Sequence, residues 1–259
     1  MTDYMIDWHC HILPDLDDGA TSVEEAVAMA RLLVEAGYTH VCCTPHRLRG
    51  MYDTAPAAMR AGVERLQGAL QEEGIPLVLV PGMEYCLDEF FVEDFSSDPI
   101  TLGTSTRVLV ETPSNAEPQL LRENIFHLVR NGYTPLFAHP ERHAFLAPPP
   151  RHSASMFGKV KAWIDGPDNE EGESLDNTLL AELKNMGCEF QGNLGSVGGY
   201  YGSLVKAQEG RLRQAGFFNC YGSDGHDPVS LERFLAAAIE EVVADHAFLL
   251  SGDVDLIAP

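Results

Sequence analysis

Basic residues are scarce in this 259-residue chain: 17 Lys and Arg stand against 39 Asp and Glu, a formal net charge of −22. Proteins that bind nucleic acid or anionic membranes do so through basic patches that displace counterions, so neither partner is expected here. Cationic ligands suit the balance, metal ions foremost. No apolar run approaches the ~20 residues that span a bilayer. The opening residues, MTDYMIDWH, lack the basic and apolar regions of a signal peptide. None of the six cysteines (Cys10, Cys42, Cys43, Cys86, Cys188, Cys220) shows CxxC spacing. A chain of this size needs no disulfide staple, so reduced thiols are expected. The expectation is a soluble, cytoplasmic, acidic globular protein, with 45% hydrophobic residues, enough for a sizeable core.

Short apolar runs alternate with longer amphipathic stretches, the pattern of repeated βα units around a parallel sheet. Strands are expected over 4–9, 40–44, 77–81, 107–111, 134–138, 188–193 and 217–222. Helices are expected over 22–36, where Ser22 and Glu25 form a capping box and Gly37 follows, and around 56–73, 117–131, 203–215 and 228–246. Seven strands suit a closed barrel better than a small open sheet, and the whole chain, 1–259, reads as one domain. Residues 147–176 break the rhythm with three prolines and an acidic run. They are expected to form an inserted loop or lid, partly disordered, with a short helix near Phe157–Ile164.

In α/β barrels the reactive side chains gather at the C-terminal ends of the strands. The first strand here ends in His9-Cys10-His11 and runs on to Asp17-Asp18. Later strands end in Thr44-Pro45-His46, Gly82-Met83-Glu84, Glu111, His139-Pro140-Glu141-Arg142-His143 and Ser223-Asp224-Gly225-His226. The strand over 188–193 alone delivers no ionisable group, only the glycine-rich GNLGSVGGYYG. Taken singly these signals are weak: DDG is also a plain turn, and a glutamate after a strand is often a solvated loop residue or a cap. His40, His127, His152 and His246 carry no assigned role. The recurrence of imidazole and carboxylate at the same end of successive strands is what points to divalent metal ions. Residues two apart on an extended chain face the same way, which pairs His9 with His11 and turns Cys10 toward the packing side.

A rival sits in the second strand. Cys43 and Arg49 have the CxxxxxR spacing of cysteine-dependent phosphatases. Such a loop wraps an anion with tightly turning glycines and runs into a helix N-terminus. The interior here holds Pro45 and no glycine, so Cys43 is expected to be structural.

Together HxH…DDG, TPH, GxE, VETP, HPER and SDxH resemble the PHP (polymerase and histidinol phosphatase) superfamily. The nearest resemblance is to its bacterial manganese-dependent tyrosine-protein phosphatases of capsular and exopolysaccharide synthesis. HCHILPDLDDGA, GNLGSVGGYYG and HPERH are the most telling stretches, and the likeness runs from about residue 4 to residue 245 apart from the insertion. The resemblance implies a distorted seven-stranded (β/α)7 TIM-like barrel holding three divalent metal ions, manganese foremost, with iron or zinc as alternatives. One ion falls to His9, His11, Glu84 and Asp224. A second shares Glu84 and adds Glu111 and His139; a third takes Asp18, His46 and His226. Arg142 matches a phosphate-contacting arginine. The second arginine common after SDxH is missing, with only Arg233 at a distance. Asp17 is expected to shape the turn or support the site from behind.

The implied reaction is hydrolysis of phosphotyrosine by a metal-bridging hydroxide, without a phosphoenzyme, on a substrate such as a bacterial tyrosine kinase. The alternatives are a PHP phosphatase acting on histidinol phosphate or a nucleotide, and a catalytically silent metal-binding module that docks a kinase.

Overall fold

The chain leaves its first strand, β1 (Tyr4–Cys10), through the acidic loop and enters α1 (Val23–Glu35). Ser22 Oγ caps that helix by accepting from the Glu25 N–H at 3.2 Å. The Glu25 carboxylate folds back to the Thr21 N–H at 2.8 Å, one residue earlier than a capping box would place it. Both α2 (Pro56–Glu72) and α4 (Pro118–Arg130) start on a proline, whose missing N–H costs nothing at a helix N-terminus. The structure, a computed structural model, describes residues 4–113, 116–146, 175–236 and 251–252.

Every run expected to be a strand forms one: β1, then β2 (His40–Cys43), β5 (Val78–Pro81), β7 (Arg107–Glu111), β8 (Thr134–Ala138), β9 (Glu189–Asn193) and β10 (Cys220–Gly222). Four short strands were not expected: β3 (His46–Leu48), β4 (Tyr52–Asp53), β6 (Glu84–Cys86) and β11 (Ser251–Gly252). β3 continues β2 after Thr44-Pro45, and β6 continues β5 after Gly82-Met83. Pro45 cannot donate to a ladder, which breaks the strand there. A Cβ on Gly82 would sit 2.8 Å from Leu102 Cδ2, so the second break is closely packed.

The architecture is mixed α/β with largely parallel sheets. One sheet runs β11-β1-β2-β5 and the other β10-β9-β8-β7-β6-β3-β4; among the described residues only the β1–β11 and β3–β4 pairs are antiparallel. A parallel bridge between Cys10 and Gly225 ties the end of β1 to the segment after β10. There the Asp224 N–H donates to His9 O at 2.7 Å and the His11 N–H to Gly225 O at 3.0 Å. The register of β1 against β2 shifts between Asp7 and Cys10, an irregularity of the kind that re-aims side chains.

Ile6, Trp8, Cys42, Val80, Leu109, Leu136, Ala138 and Cys220 form a core between the strands. A larger core, including Met29, Leu33, Leu66, Phe91, Phe137, Phe190 and Leu212, fills the space beneath the helices. The remaining described helices are α3 (Phe91–Ser97), α5 (Leu179–Asn185), α6 (Leu194–Val197) and α7 (Ser203–Gln214). From residue 228 the chain is helical as far as 236; the rest of the expected 228–246 helix lies outside the described residues. So does nearly all of the expected 147–176 insertion, including the helix near Phe157–Ile164. Its last residues open a 3-10 turn, Leu175–Asn177. Among the described residues no helix is long and apolar enough to cross a membrane.

Candidate metal centre

The ends of the strands bring all nine implied ligands and Arg142 into one cluster. His9 and His11 come from the end of β1. The loop that follows doubles back, so that the Ala20 N–H donates to His11 O at 3.1 Å. Gly19 makes this return possible: a Cβ there would lie 2.1 Å from His11 O. Gly222 does the same for His9, whose own Cβ would be 2.4 Å from the added one. His46 opens β3 and Glu84 opens β6, directly paired in register. His139 and Asp224 follow β8 and β10 with left-handed backbones, φ 37° and 53°. Non-glycine residues pay for that conformation, and such strain gathers at functional sites.

Glu84 is fully buried and stands at the centre. Its Oε2 lies 3.2 Å from His9 Nε2, 3.4 Å from His11 Nε2 and 3.0 Å from His46 Nδ1. Its Oε1 lies 3.2 Å from His139 Nε2. Asp224 Oδ1 approaches His9 Nε2 at 3.4 Å and His11 Nε2 at 3.3 Å. Glu111 Oε1 is 3.1 Å from His46 Nδ1, while Asp18 Oδ1 is 3.5 Å from both His46 Nε2 and His226 Nε2. The donor atoms fall into three overlapping groups, each within 4.8 Å: His9, His11 and Glu84; His46, Glu84 and Glu111; and His11, Asp18, His46 and His226. The division differs from the implied one: His46 joins Glu84 and Glu111, His11 joins the Asp18 group as well, and His139 and Asp224 fall in none of the three although both contact the cluster. His46 faces Glu84 and Glu111 through Nδ1 and Asp18 through Nε2, so its ring stands between two groups.

The rings are held from behind. Asp17 Oδ2 lies 2.7 Å from His11 Nδ1 and also accepts from the His46 N–H at 2.8 Å. Gln191 Oε1 accepts from His9 Nδ1 at 2.9 Å, and Asp224 O accepts from His226 Nδ1 at 2.9 Å. With Nδ1 so engaged, the Nε2 atoms of His9, His11 and His226 are turned into the cluster, the usual second partner arrangement of metal-bound histidines.

Whether the residues fit metal ions is decided by atoms left without hydrogen bonds. Glu84 Oε2, His46 Nδ1 and His139 Nδ1 are buried and unpartnered. Glu84 Oε2 and His46 Nδ1 are nevertheless 3.0 Å apart. The lone pairs of Glu84 Oε2 and His46 Nδ1 converge on shared points rather than on one another, as ligands around a cation do, while His139 meets the cluster through Nε2; imidazole with carboxylate is the donor set that divalent ions take. The electrostatics agree. Burial alone would lift the Glu84 carboxyl, but His9 and His46 beside it hold it well below the usual range. Asp224 is likewise held low, against its burial, by His9 and His11. Burial would lower His46, yet Glu84 and Glu111 push it up to about 10. Without an ion the cluster must be held together by protons.

Arg142 donates from Nη1 to Asp224 Oδ2 at 2.9 Å, and its guanidinium lies 4.4 Å from the centre of the Tyr201 ring. It lines a cleft of about 400 Å³ with Leu48, Cys86, Glu111, Pro113, His139 and His143. The cysteine alternative fails on geometry. Cys43 is a fully buried strand residue whose thiol is pushed up by desolvation, and Arg49 is committed to Asp94 and Glu93. Cys10 is buried in the larger core, on the packing side as expected. All six cysteines are free and buried.

Several contributors escaped the sequence reading. Gln191 and Asn193, on the strand read as delivering nothing ionisable, reach His9 and Asp224 as neutral amides. Two polar residues at i and i+2 in a buried strand were the available signal. Asp7, fully buried and pushed up to about 6 by desolvation, accepts from Ser223 and the His9 N–H, fastening β1 to the Ser223-Asp224 turn. Tyr52 stacks on His46 at 5.4 Å.

Comparison with known proteins places the chain among relatives. Residues 5–156 match the family model described as capsular polysaccharide synthesis, CpsB/CapC. The chain is 31% identical over 224 residues to the tyrosine-protein phosphatase YwqE of Bacillus subtilis, covering 86% of this chain and 78% of that protein. It is 30% identical over 141 residues to the tyrosine-protein phosphatase CpsB of Streptococcus pneumoniae, covering 54% and 58% respectively. A solved structure from work on YwqE and CpsB, described as metal-dependent tyrosine phosphatases, superposes with a TM-score of 0.75 at 29% identity over 93% of this chain and 87% of that one. The chain belongs to the CpsB/CapC family of capsular polysaccharide synthesis.

Proposed function

We propose that this chain is a metal-dependent protein-tyrosine phosphatase that regulates capsule or exopolysaccharide synthesis. The observation that carries the reading is the buried Glu84, ringed by His9, His11, His46 and His139 at contact distance with its Oε2 left unpartnered. Three divalent ions, manganese foremost, are proposed for the three overlapping donor groups. The nine ligands are His9, His11, Asp18, His46, Glu84, Glu111, His139, Asp224 and His226. The two sheets are read as one distorted seven-stranded barrel within a single domain of residues 1–259. β2 running on into β3, β5 into β6, and the Cys10–Gly225 bridge support that reading.

Divalent ions bound here supply Lewis acidity and bring the pKa of water towards neutrality. The chain's own residues do the rest. Asp17, Gln191 and the Asp224 carbonyl aim three imidazoles inward. Arg142, with Tyr201 against one face, lines the cleft with its guanidinium, which would meet the phosphoryl oxygens as charge builds on them. A tyrosyl leaving group has a pKa of ~10. It departs with little protonation, so the site needs no dedicated general acid. The substrate is a phosphotyrosine protein, a tyrosine kinase of the capsule machinery, acted on in the cytoplasm.

The test compares turnover of p-nitrophenyl phosphate by the wild type, Cys43→Ser and His11→Ala, with and without chelator, alongside metal content by mass spectrometry. Chelator-sensitive turnover that survives Cys43→Ser and is lost in His11→Ala is expected. Loss in Cys43→Ser with no response to chelator would sink the metal mechanism. With Mn2+ added, phosphotyrosine peptides should be hydrolysed in preference to histidinol phosphate.

A further inference from the structure

The strand β9 contributes no ligand, yet it carries two buried amides that each end on one. Gln191 is fully buried. Its Nε2 donates to Gly192 O, which settles the orientation of the amide. Oε1 is therefore the atom facing His9 Nδ1 at 2.9 Å. A carbonyl oxygen can only accept, so Nδ1 of His9 carries a proton, and in the neutral ring Nε2 is left bare to bind a cation. That bare nitrogen is the one directed at Glu84 and Asp224.

Asn193 repeats the arrangement two residues on, on the same face of the strand. Its Oδ1 accepts from the Gly195 N–H at 2.7 Å, capping the short helix α6 and fixing the amide. Its Nδ2 is then the atom that donates to Asp224 Oδ2 at 2.8 Å, leaving Oδ1 of that carboxylate turned toward His9 and His11. The Asn193 N–H is itself held by Glu141 Oε1 at 3.0 Å. Each amide thus has one end anchored on backbone and the other on a ligand proposed for the same ion, His9 or Asp224. The packing around them leaves no slack: a Cβ on Gly222 would meet both His9 Cβ at 2.4 Å and Gln191 Nε2 at 3.1 Å.

We infer that Gln191 and Asn193 are positioning residues of the metal centre, Gln191 by selecting the His9 tautomer that binds a cation through Nε2, Asn193 by rotating the Asp224 carboxylate so that Oδ1 faces it. Neutral amides suit this task in a site crowded with carboxylates. They orient ligands without adding charge that the ions would have to balance. The inference rests on the metal-centre reading above.

The test is calorimetric titration of the metal-free protein with Mn2+, together with thermal melts of the metal-free forms. Gln191→Leu keeps the volume and removes the acceptor; Gln191→Glu keeps an acceptor. Asn193→Asp keeps the cap on Gly195 and replaces the donor with a second carboxylate against Asp224. Loss of an outer partner of a metal ligand weakens metal binding by about 10- to 100-fold. Gln191→Leu and Asn193→Asp should each lose that much Mn2+ affinity in the same binding step. Gln191→Glu should stay within a few-fold of wild type. A purely structural role predicts the reverse: a lowered melting temperature with wild-type affinity, and that result overturns the inference. If Gln191→Leu does not fold, Asn193→Asp decides alone, and unchanged affinity there overturns it equally. A wild type that binds no Mn2+ would instead sink the metal-centre reading itself.

Discussion

Asp17 grips His11: its Oδ2 lies 2.7 Å from the ring Nδ1 while its Oδ1 accepts from the Gly19 N–H at 3.0 Å. The same Oδ2 reaches the His46 N–H, so one carboxylate shapes the turn and steadies ligands from two strands. Asp17→Asn keeps an acceptor for the turn but sets an NH2 group against donors. The variant should fold with a near wild-type circular dichroism spectrum. Its Mn2+ affinity in calorimetry should fall by about 10- to 100-fold, as for other outer partners of metal-bound histidines. Undiminished affinity would reduce Asp17 to a turn residue.

Gly222 offers a steric test of the same wall. An added Cβ would lie 2.4 Å from His9 Cβ and 2.8 Å from its backbone nitrogen, contacts that no side-chain rotation relieves. Gly222→Ala should cost about 1–3 kcal/mol of stability, the usual penalty of overpacking, and lower Mn2+ uptake by displacing His9. Gly210→Ala is the control, because a Cβ in that part of α7 meets nothing within 4 Å. It should be neutral or gain up to ~1 kcal/mol from helix propensity. Denaturant melts of both variants, with and without Mn2+, separate the two effects.

The longer strands were legible because runs such as Arg107–Glu111 and Thr134–Ala138 are apolar and bounded by turn residues. Their ends announced the site because histidine and carboxylate are chemically conspicuous there. β3 and β6 were not legible: three residues carry no periodicity, and their pairing is decided by the breaks at Pro45 and Gly82. The sharing of His46 between groups follows from that hidden register, in which His46 lies opposite Glu84. Gln191 and Asn193 were overlooked because a search for ionisable groups passes over amides, although both are polar in a strand with no solvent to face. The left-handed backbones of His139 and Asp224 have no sequence signal either, since neither residue is glycine.

Arg142 joins the ligand cluster to the cleft. One N–H is spent on Asp224 Oδ2, and Tyr201 covers one face of the guanidinium, while the side chain remains 34% exposed. A planar fork so held has donors left for two phosphoryl oxygens, which a lysine cannot match. Arg142→Met should lower kcat/KM for a phosphotyrosine peptide by about a hundredfold or more, the scale of losing a charge-stabilising donor. Arg142→Lys should recover only part of that loss. Steady-state kinetics with metal content checked for each variant would show it, and full recovery with lysine would mean that charge alone suffices.

Protons and metal ions compete for the same nitrogens, and the sign of the pH dependence follows. In the metal-free protein His46 is raised from 6.5 to about 10, chiefly by Glu84 acting against its burial, so at neutral pH it carries a proton. A histidine raised on folding contributes stability that is fully present below its unfolded pKa and disappears as pH climbs through the folded value. For His46 that window runs from 6.5 to about 10. Asp18, Glu84 and Asp224, all held low, contribute stability present above the ordinary carboxylate range and lost in acid. The metal-free protein should therefore be most stable in mildly acidic solution and weaken steadily above neutrality. Bound ions reverse that trend, because a metal ligand must give up its proton first. Titrating Mn2+ at pH 7 in two buffers of different ionisation enthalpy should reveal net proton release. The rise in melting temperature produced by Mn2+ should grow between pH 6 and pH 8. Binding heats identical in the two buffers would mean that the imidazoles are already neutral, and that the carboxylates do not hold the cluster charged before the ions arrive.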